Sequence, residues 1–184
     1  WLKRNGSKTN LNRELYNNLL GENSSEAQRR HLYASYLAAE TEFWRCHRQC
    51  AAVLHFTSLA YSRGDGQTSD HFTDVEKLEY EDEFLKYMPD AFSPVGLQLD
   101  EWGNEIDTGV SHDCRVIAIN DLEPGWKGKV LLQKFNHDKS SSGHTKALVI
   151  PPFRQHIITI HLTTTPYART FTVLATHERT ANQP

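Results

Sequence analysis

A short apolar stretch decides the fold of the first half of the chain: Ala51-Ala52-Val53-Leu54-His55-Phe56-Thr57. It directly follows residues 24–49, where aromatic and aliphatic side chains recur at helical spacing. A nearly continuous apolar run behind a helix is typical of a strand buried on both faces of a parallel sheet. Because such a strand needs neighbours and residues 1–92 offer no second run of this kind, we predict that this region is the last part of a larger layered domain.

Two shorter helices are predicted on either side of this unit. One covers residues 12–20 and ends at Gly21, and the other covers residues 82–92 and stops at Ser93-Pro94. Asn23, with Glu26 three residues later, predicts a capping box at the start of the long helix. A polar loop over residues 59–74 is expected to follow the apolar strand.

From Val95 onward the hydrophobic period changes to two. Ile158, Ile160 and Leu162, for example, alternate with Thr159 and His161. Regular short strands separated by turn residues predict an all-β sandwich, with the domain boundary between residues 92 and 93. The chain as a whole is therefore predicted to be α+β. The run Ser140-Ser141-Ser142, with Gly143, is interpreted as a hairpin tip. The predicted strands cover residues 95–101, 114–120, 129–135, 146–150, 156–162 and 169–176.

Composition excludes several function classes. The 184 residues carry a formal net charge of -3, and their Lys and Arg residues are scattered, so nothing indicates a nucleic-acid or anionic-membrane partner. No apolar run approaches the ~20 residues that span a bilayer. The sequence begins at Trp1 without an initiator Met or a signal peptide, from which we expect a processed or excised chain.

The cysteines do not predict a metal site. Cys46, His47 and Cys50 lie within one helical turn, but their spacing is not that of a zinc motif, and no second ligand pair follows. With Cys114 they make an odd total of three. We predict free thiols and no metal.

The best candidate site is the end of the apolar strand and the loop that follows it. This segment combines aromatic rings with hydrogen-bonding groups, which is the mixture that binds sugars. Its members are His55, Phe56, Thr57, Tyr61, Arg63, Gln67, Thr68, Asp70 and His71. The alternative is a loop that only closes the mouth of a barrel. A serine hydrolase is disfavoured because the chain has no Gly-x-Ser-x-Gly elbow. The acidic residues mostly fall on solvated helix faces or in the cluster at residues 76–83.

Several stretches of the chain resemble the C-terminal part of bacterial glycoside hydrolases related to family two, the β-galactosidase and β-glucuronidase clan. The resemblance is carried by Trp1-Leu2-Lys3-Arg4-Asn5-Gly6-Ser7-Lys8-Thr9, Tyr36-Leu37-Ala38-Ala39-Glu40-Thr41-Glu42-Phe43-Trp44-Arg45, Ala52-Val53-Leu54-His55-Phe56, Thr68-Ser69-Asp70-His71-Phe72 and Asp90-Ala91-Phe92-Ser93-Pro94-Val95-Gly96.

The resemblance implies that residues 1–92 complete a TIM barrel and residues 93–184 form an Ig-like sandwich. Residues 24–50 would be the seventh helix and residues 51–57 the eighth strand. It also implies a retaining mechanism whose two glutamates precede Trp1, so this chain would hold no catalytic residue. His55, Tyr61, Asp70 and His71 would be substrate-binding candidates, with Phe56 where the clan often has Trp.

Further implications concern cofactor, location and partners. The resemblance implies no cofactor, a periplasmic or secreted location, and a carbohydrate substrate met through the parent enzyme. The chain would pack on the missing part of the barrel, or self-associate through Tyr33, Tyr36, Phe43 and Trp44. Two alternatives remain open, a non-catalytic carbohydrate-binding module and a purely structural interface domain.

Overall fold

The computed structural model describes residues 13–54, 62–63, 66–67, 71–101, 109–136, 141–163 and 171–179. Helices and antiparallel strands both occur, which confirms the α+β class. In chain order the elements are α1 (Arg13–Leu20), α2 (Glu26–His47), β1 (Ser62–Arg63), β2 (Gly66–Gln67), β3 (Phe72–Asp74), β4 (Glu79–Tyr80), α3 (Asp82–Ala91), β5 (Val95–Asp100), β6 (Ser111–Asn120), β7 (Trp126–Asn136), β8 (Ser141–Ile150), β9 (Arg154–Thr163) and β10 (Phe171–Arg179).

The chain divides into two compact units. The first unit comprises residues up to Thr41 together with Cys50–Phe92, and the second comprises Glu42–Gln49 together with the residues from Ser93 onward. The last turns of α2 therefore belong to the same unit as the strands β5 to β10.

The capping box of α2 lies two residues after the predicted one. The Gln28 amide N–H donates to Ser25 Oγ at 3.2 Å, and the Ser25 N–H donates to Gln28 Oε1 at 2.8 Å. Ser25 and Gln28 thus satisfy two helix-end donors reciprocally, which is why they replace Asn23 and Glu26 in this role. At the end of α1, Gly21 adopts φ +84°, as predicted for a helix that stops at glycine.

The apolar run after α2 does not form the expected strand in the part that is described. Residues 51–54 have no regular secondary structure, and Leu54 is 87% exposed. A strand needs hydrogen-bonded neighbours, and no described strand pairs with these four residues. All ladders among the described strands are antiparallel. Residues 55–57 lie outside the described residues.

Helix α3 begins at a buried acidic cap. Glu81 is 6% exposed, and its Oε2 accepts the Phe84 N–H at 2.8 Å. The helix ends at Ala91, one residue before the predicted end. Met88 and Ala91 pack against Ala38 of α2, with partly buried Phe84 and Tyr87 beside them. This contact forms an apolar cluster of the first unit.

The second unit contains all six predicted strands. They form two antiparallel sheets, with strand orders β10-β7-β8 and β5-β6-β9. The β7–β8 register pairs Phe135 with Ser141, so Ser141, Ser142 and Gly143 lie in β8 and not at the predicted hairpin tip. The ladder continues past the serines because main-chain hydrogen bonding does not require large side chains.

Side chains from both sheets meet in one apolar core. The alternation predicted for β9 is observed, since Ile158 and Ile160 are buried whereas Ile157 and Thr159 are exposed. Burial of these side chains is the main stabilising contribution of the unit. The buried members of the core are Val95, Cys114, Val116, Ala118, Trp126, Val130, Leu132, Leu148, Ile150, Ile158 and Ile160.

Asn120 joins two turns at one end of the sheets. Its side chain is fully buried, and Nδ2 lies 3.0 Å from the Pro124 carbonyl oxygen and 3.2 Å from that of Ile150. The Pro151 carbonyl oxygen is 3.3 Å away, and Oδ1 accepts the Leu122 N–H at 3.0 Å. One amide therefore connects the β6–β7 and β8–β9 turns.

The end of α2 covers the other face of β6. Cys46 packs against Ile117 and Ile119. Asp121, directly after β6, accepts from Arg45 at 2.7 Å and from Arg48 at 2.6 Å. These contacts attach the last turns of the helix to the sheet.

We expect the three thiols to differ strongly in reactivity. Burial raises the pKa of the Cys46 thiol to about 12 and that of Cys114 to about 11, whereas Cys50 is exposed. Because the thiolate is the nucleophile, a disulfide reagent near pH 8 should modify Cys50 rapidly, and Cys46 and Cys114 only after unfolding. The measurement is the rate at which the reagent releases its own thiol as it reacts with the protein, with and without denaturant. A Cys50→Ser variant should lose the rapid phase, and a second rapid thiol in the native protein would contradict this expectation.

Candidate functional site

One of the four predicted sugar-binding residues falls in the described part of the chain. His55, Tyr61 and Asp70 lie outside the described residues. His71 lies at the start of the β3–β4 hairpin and is 4% exposed. Its carbonyl oxygen accepts the Glu81 N–H at 2.9 Å, which ties the hairpin to the start of α3.

The His71 ring lies within an aromatic cluster of the first unit. Its centroid is 4.5 Å from the Phe84 ring in a stacked geometry, and 6.0 Å from the Tyr33 ring in a tilted one. Stacking at these distances is favourable and fixes the orientation of the imidazole. The histidine therefore supports the hairpin from beneath its surface.

Tyr80 is the most solvent-exposed ring of this cluster. Phe72 and Tyr80 are paired across the β3–β4 hairpin, and their rings stack at 4.5 Å. The Tyr80 ring is also nearly parallel to that of Phe84, at 5.7 Å, and yet 46% of the residue is exposed. An accessible tyrosine held by one ring of β3 and one of α3 can offer apolar contact to sugar C–H groups and a hydroxyl to their oxygens.

A histidine–carboxylate pair links α2 to α3 beside this cluster. His31 Nδ1 lies 2.9 Å from Glu83 Oε2, and the rings of His31 and Tyr87 meet edge to face at 5.5 Å. The hydrogen bond with His31, aided by Lys86, lowers the pKa of the Glu83 carboxyl below its ordinary value. Glu83 is therefore ionised at neutral pH, and its contribution to stability is lost only as the pH falls into the acidic range.

Many of the described carboxylates are committed to ion pairs. Asp74 accepts from Lys77 at 3.0 Å, and the hydrogen bonds from Lys77 lower the Asp74 pKa. With its pKa lowered in this way, Asp74 is a poor general acid at neutral pH. Further pairs are Glu26–Arg30, Asp100–Arg115, Glu101–His112, Asp113–His161 and Asp121 with Arg45 and Arg48.

The described residues contain neither a cluster of metal-binding side chains nor a membrane-spanning helix. No cluster of three or more His, Cys, Asp or Glu side chains there could hold a metal ion. No helix within the same residues has the length and apolarity to cross a membrane.

The sequence did not single out Tyr80 or Glu81. Both fall inside the acidic cluster at residues 76–83, whose charge indicates a solvated surface. The signal that could have identified Tyr80 is an aromatic residue between two acidic residues, at the end of a short segment where apolar and polar residues alternate. Glu81 has the spacing of a helix cap, three residues before the Phe84 amide that it binds.

Comparisons with known proteins give little further information. No family model matches the chain, and no curated protein matches it. Among solved structures, one similar chain is described as a beta-glucuronidase from glycoside hydrolase family 2. The match has 15% identity and a TM-score of 0.34, and it covers 46% of this chain and 10% of the other. The chain thus spans a small fraction of that enzyme, and a likeness of this size identifies neither its family nor its activity.

Proposed function

We propose that this chain is the C-terminal region of a retaining glycoside hydrolase related to family two. In this proposal, residues 1–92 complete a (β/α)8 barrel and residues 93–184 form an Ig-like sandwich. The two catalytic glutamates of the parent enzyme are encoded upstream of Trp1. The parent cleaves an O-glycosidic bond by double displacement through a covalent glycosyl-enzyme intermediate.

The observation that carries the proposal is a link between two stretches of the sequence resemblance. Arg45 ends the stretch that begins at Tyr36, and Ser93 lies in the stretch that begins at Asp90. The Arg45 guanidinium donates to the Ser93 carbonyl oxygen at 2.7 Å, across 48 positions of sequence. Two of the segments that resemble the family are therefore joined by a partly buried, charge-assisted hydrogen bond.

The arrangement of the second unit supports the same proposal. Two three-stranded antiparallel sheets share one apolar core, which is the layer arrangement of a sandwich domain. In the parent enzyme this unit serves as a non-catalytic support for the barrel.

The sugar-contacting residues proposed here lie in the loop between α2 and β3. His55, Tyr61 and Asp70 remain the direct candidates, and the stack of His71 on Phe84 fixes the position of the residue that follows Asp70. Tyr80, which follows these residues in the sequence, adds a solvent-accessible ring. No cofactor is needed for this chemistry.

The exposed aromatic residues of α2 support a packing partner. Tyr36 is 53% exposed and Trp44 is 42% exposed, so both rings are accessible to a partner. In the proposal they face the remainder of the barrel in the parent enzyme, which works in the periplasm or outside the cell. The isolated chain would self-associate through them.

The decisive experiment uses the longest open reading frame that contains this chain. Its product, incubated with a panel of aryl glycosides, should hydrolyse at least one of them with retention of anomeric configuration, read by proton NMR. The 184-residue chain alone should show no turnover above buffer. Replacing either upstream strand-end glutamate by glutamine should abolish activity in the long product.

Three results would overturn the proposal. They are robust turnover by the 184-residue chain, inversion of configuration by the long product, and an open reading frame without a barrel sequence before Trp1. If the last result came with saturable glycan binding by the chain in calorimetry, the carbohydrate-binding module would take its place.

A further inference from the structure

A buried glutamine on β5 has no hydrogen-bond partner. Gln98 is 2% exposed, and neither its amide nitrogen nor its amide oxygen bonds to any group in the part of the chain that the structure describes. Asp100, the next polar side chain on the same face of β5, is bound to Arg115 instead. An amide that loses its hydrogen bonds to water and gains none in return is strongly unfavourable. The folded state therefore carries a cost at Gln98 that disappears when water reaches this side chain.

The neighbours of Gln98 make its burial more unusual. Ile117 of the central strand β6 pairs with Gln98 on one side and with Ile157 of β9 on the other, so the three side chains share one face of the sheet. The amide at one end of this row is buried, whereas Ile157 at the other end is 46% exposed. The hydrophobic effect favours the opposite distribution. This row is thus covered on its polar side and open on its apolar side.

The last turns of α2 lie on the same face of the sheet. Cys46 packs against Ile117 and against Ile119, two residues further along β6. Gly96 shares this face of β5 with Gln98, and a Cβ atom at position 96 would lie 3.2 Å from Ile119 Cγ1. The surface beside Gln98 on β5 and β6 is therefore apolar and closely packed, which explains why the amide finds no partner there.

The polar contacts of the helix end gather at one end of the sheet. Arg45 donates to the Ser93 carbonyl oxygen and to Asp121, and Arg48 bonds to Asp121 and to the Asn120 carbonyl oxygen. These acceptors lie just before β5 and at the end of β6, which are neighbours in the ladder. Residue 98 is three positions further along β5 than residue 95, or about 10 Å. The helix end is therefore attached by ion pairs at one place and covers the amide by packing at another.

We propose that residues Glu42–Gln49, which we call the strap, form a releasable cover over β5 and β6. In the closed state, which the structure shows, Cys46 packs on β6 and Gln98 is out of contact with water. In the open state the strap leaves the sheet and water reaches the Gln98 amide. The released helical turns then unwind, because most helical stability in proteins comes from packing. The cost of the buried amide raises the population of the open state.

The first test is hydrogen exchange of the wild-type chain, followed amide by amide by NMR. The amides of residues 44–47 should exchange at least about tenfold faster than those of residues 116–118, which lie in the central strand β6. Their rates should depend little on urea, because a local opening exposes little surface. Equal rates with equal urea dependence in the two groups would show that the strap opens only when the whole unit unfolds, and would refute the proposal.

The second test is Gln98→Met, which keeps the length of the side chain and removes both unpartnered polar atoms. The variant lacks a cost that the closed state alone carries, so exchange at residues 44–47 should slow about tenfold. Replacing a buried amide that had its hydrogen bonds would instead speed exchange, and that result would rule the proposal out. An unchanged rate would do the same, because simple fraying of the helix does not uncover Gln98.

The matched control is Gln155→Met. Gln155 lies on the same face of the same sheet, since it pairs with Ile119, but it is exposed and its amide is in contact with water. This variant should leave exchange at residues 44–47 within about twofold of the wild-type rate. An effect as large as that of Gln98→Met would contradict the role assigned to burial of the amide.

Cys46 gives an independent measurement, because its thiol is buried between the strap and β6. In a Cys50→Ser background, Cys46 should become reactive toward a disulfide reagent at a lower urea concentration than Cys114, which belongs to the core between the two sheets. Gln98→Met should raise the urea concentration at which Cys46 reacts. Exposure of both thiols in a single transition would count against the strap even if Gln98→Met did not fold.

Discussion

Replacing Asn120 by alanine is expected to lower the free energy of unfolding by about 3 kcal/mol, since buried groups that lose their hydrogen-bond partner cost about 1–3 kcal/mol each. The Asn120 amide serves three carbonyl oxygens and the Leu122 N–H. Alanine also leaves a small cavity in a fully buried position. The measurement is urea denaturation followed by fluorescence.

Two further variants make this expectation specific. Gln155→Ala removes an exposed amide from β9 and should change stability by less than about 0.5 kcal/mol. Asn120→Asp keeps an oxygen that can accept the Leu122 N–H. Its second oxygen replaces the amide nitrogen and faces the carbonyl oxygens that this nitrogen bound. Burial should raise the pKa of that new carboxyl, so the variant should be most stable at acidic pH and lose stability as the pH rises. A loss below about 1 kcal/mol in Asn120→Ala would contradict the proposed role.

Removing the Asp121 carboxylate should cost about 2–3 kcal/mol, because it removes the acceptor that the partly buried Arg45 shares with Arg48. The Arg45 side chain is 11% exposed and depends on Asp121 and the Ser93 carbonyl oxygen. Asp121→Ala should therefore loosen the last turns of α2 from β6. Hydrogen exchange of the amides at residues 44–47 should accelerate along with the loss of stability.

A surface contact between a carboxylate and a histidine supplies the control. Asp113 and His161 are 60% and 74% exposed at their side chains, so Asp113→Ala should cost less than about 1 kcal/mol. A double-mutant cycle between Arg45→Met and Asp121→Ala should return a coupling energy clearly above zero. Equal effects of Asp113→Ala and Asp121→Ala would refute the assignment of Asp121 as the attachment point of the helix.

The strands of the second unit could be predicted because their information is local. Alternation such as Ile158, Thr159, Ile160 reports which face of a strand is buried, and it requires no knowledge of the partner strands. Helix ends were predictable for the same reason, although the capping pair of α2 is Ser25 with Gln28 and not Asn23 with Glu26, whose carboxylate accepts from Arg30.

Other features depend on contacts that sequence does not reveal. An apolar run such as residues 51–54 cannot by itself distinguish a buried strand from an exposed segment, and Leu54 is in fact largely exposed. The pairing of Arg45 with Asp121 spans 76 positions, and the stacking of His71 on Phe84 joins residues from a hairpin and a helix. The composition of the loop suggested His71 for binding, whereas its ring is almost fully buried.

The amide of Asn120 has a consequence for protein engineering. Since one side chain ties residues 121–125 to residues 150–153, neither connection is suitable for loop grafting or for a new chain terminus made by circular permutation. A peptide inserted in either connection would displace carbonyl oxygens that accept from the Asn120 amide, and so weaken the other connection as well. Foreign epitopes should therefore be displayed elsewhere on this unit.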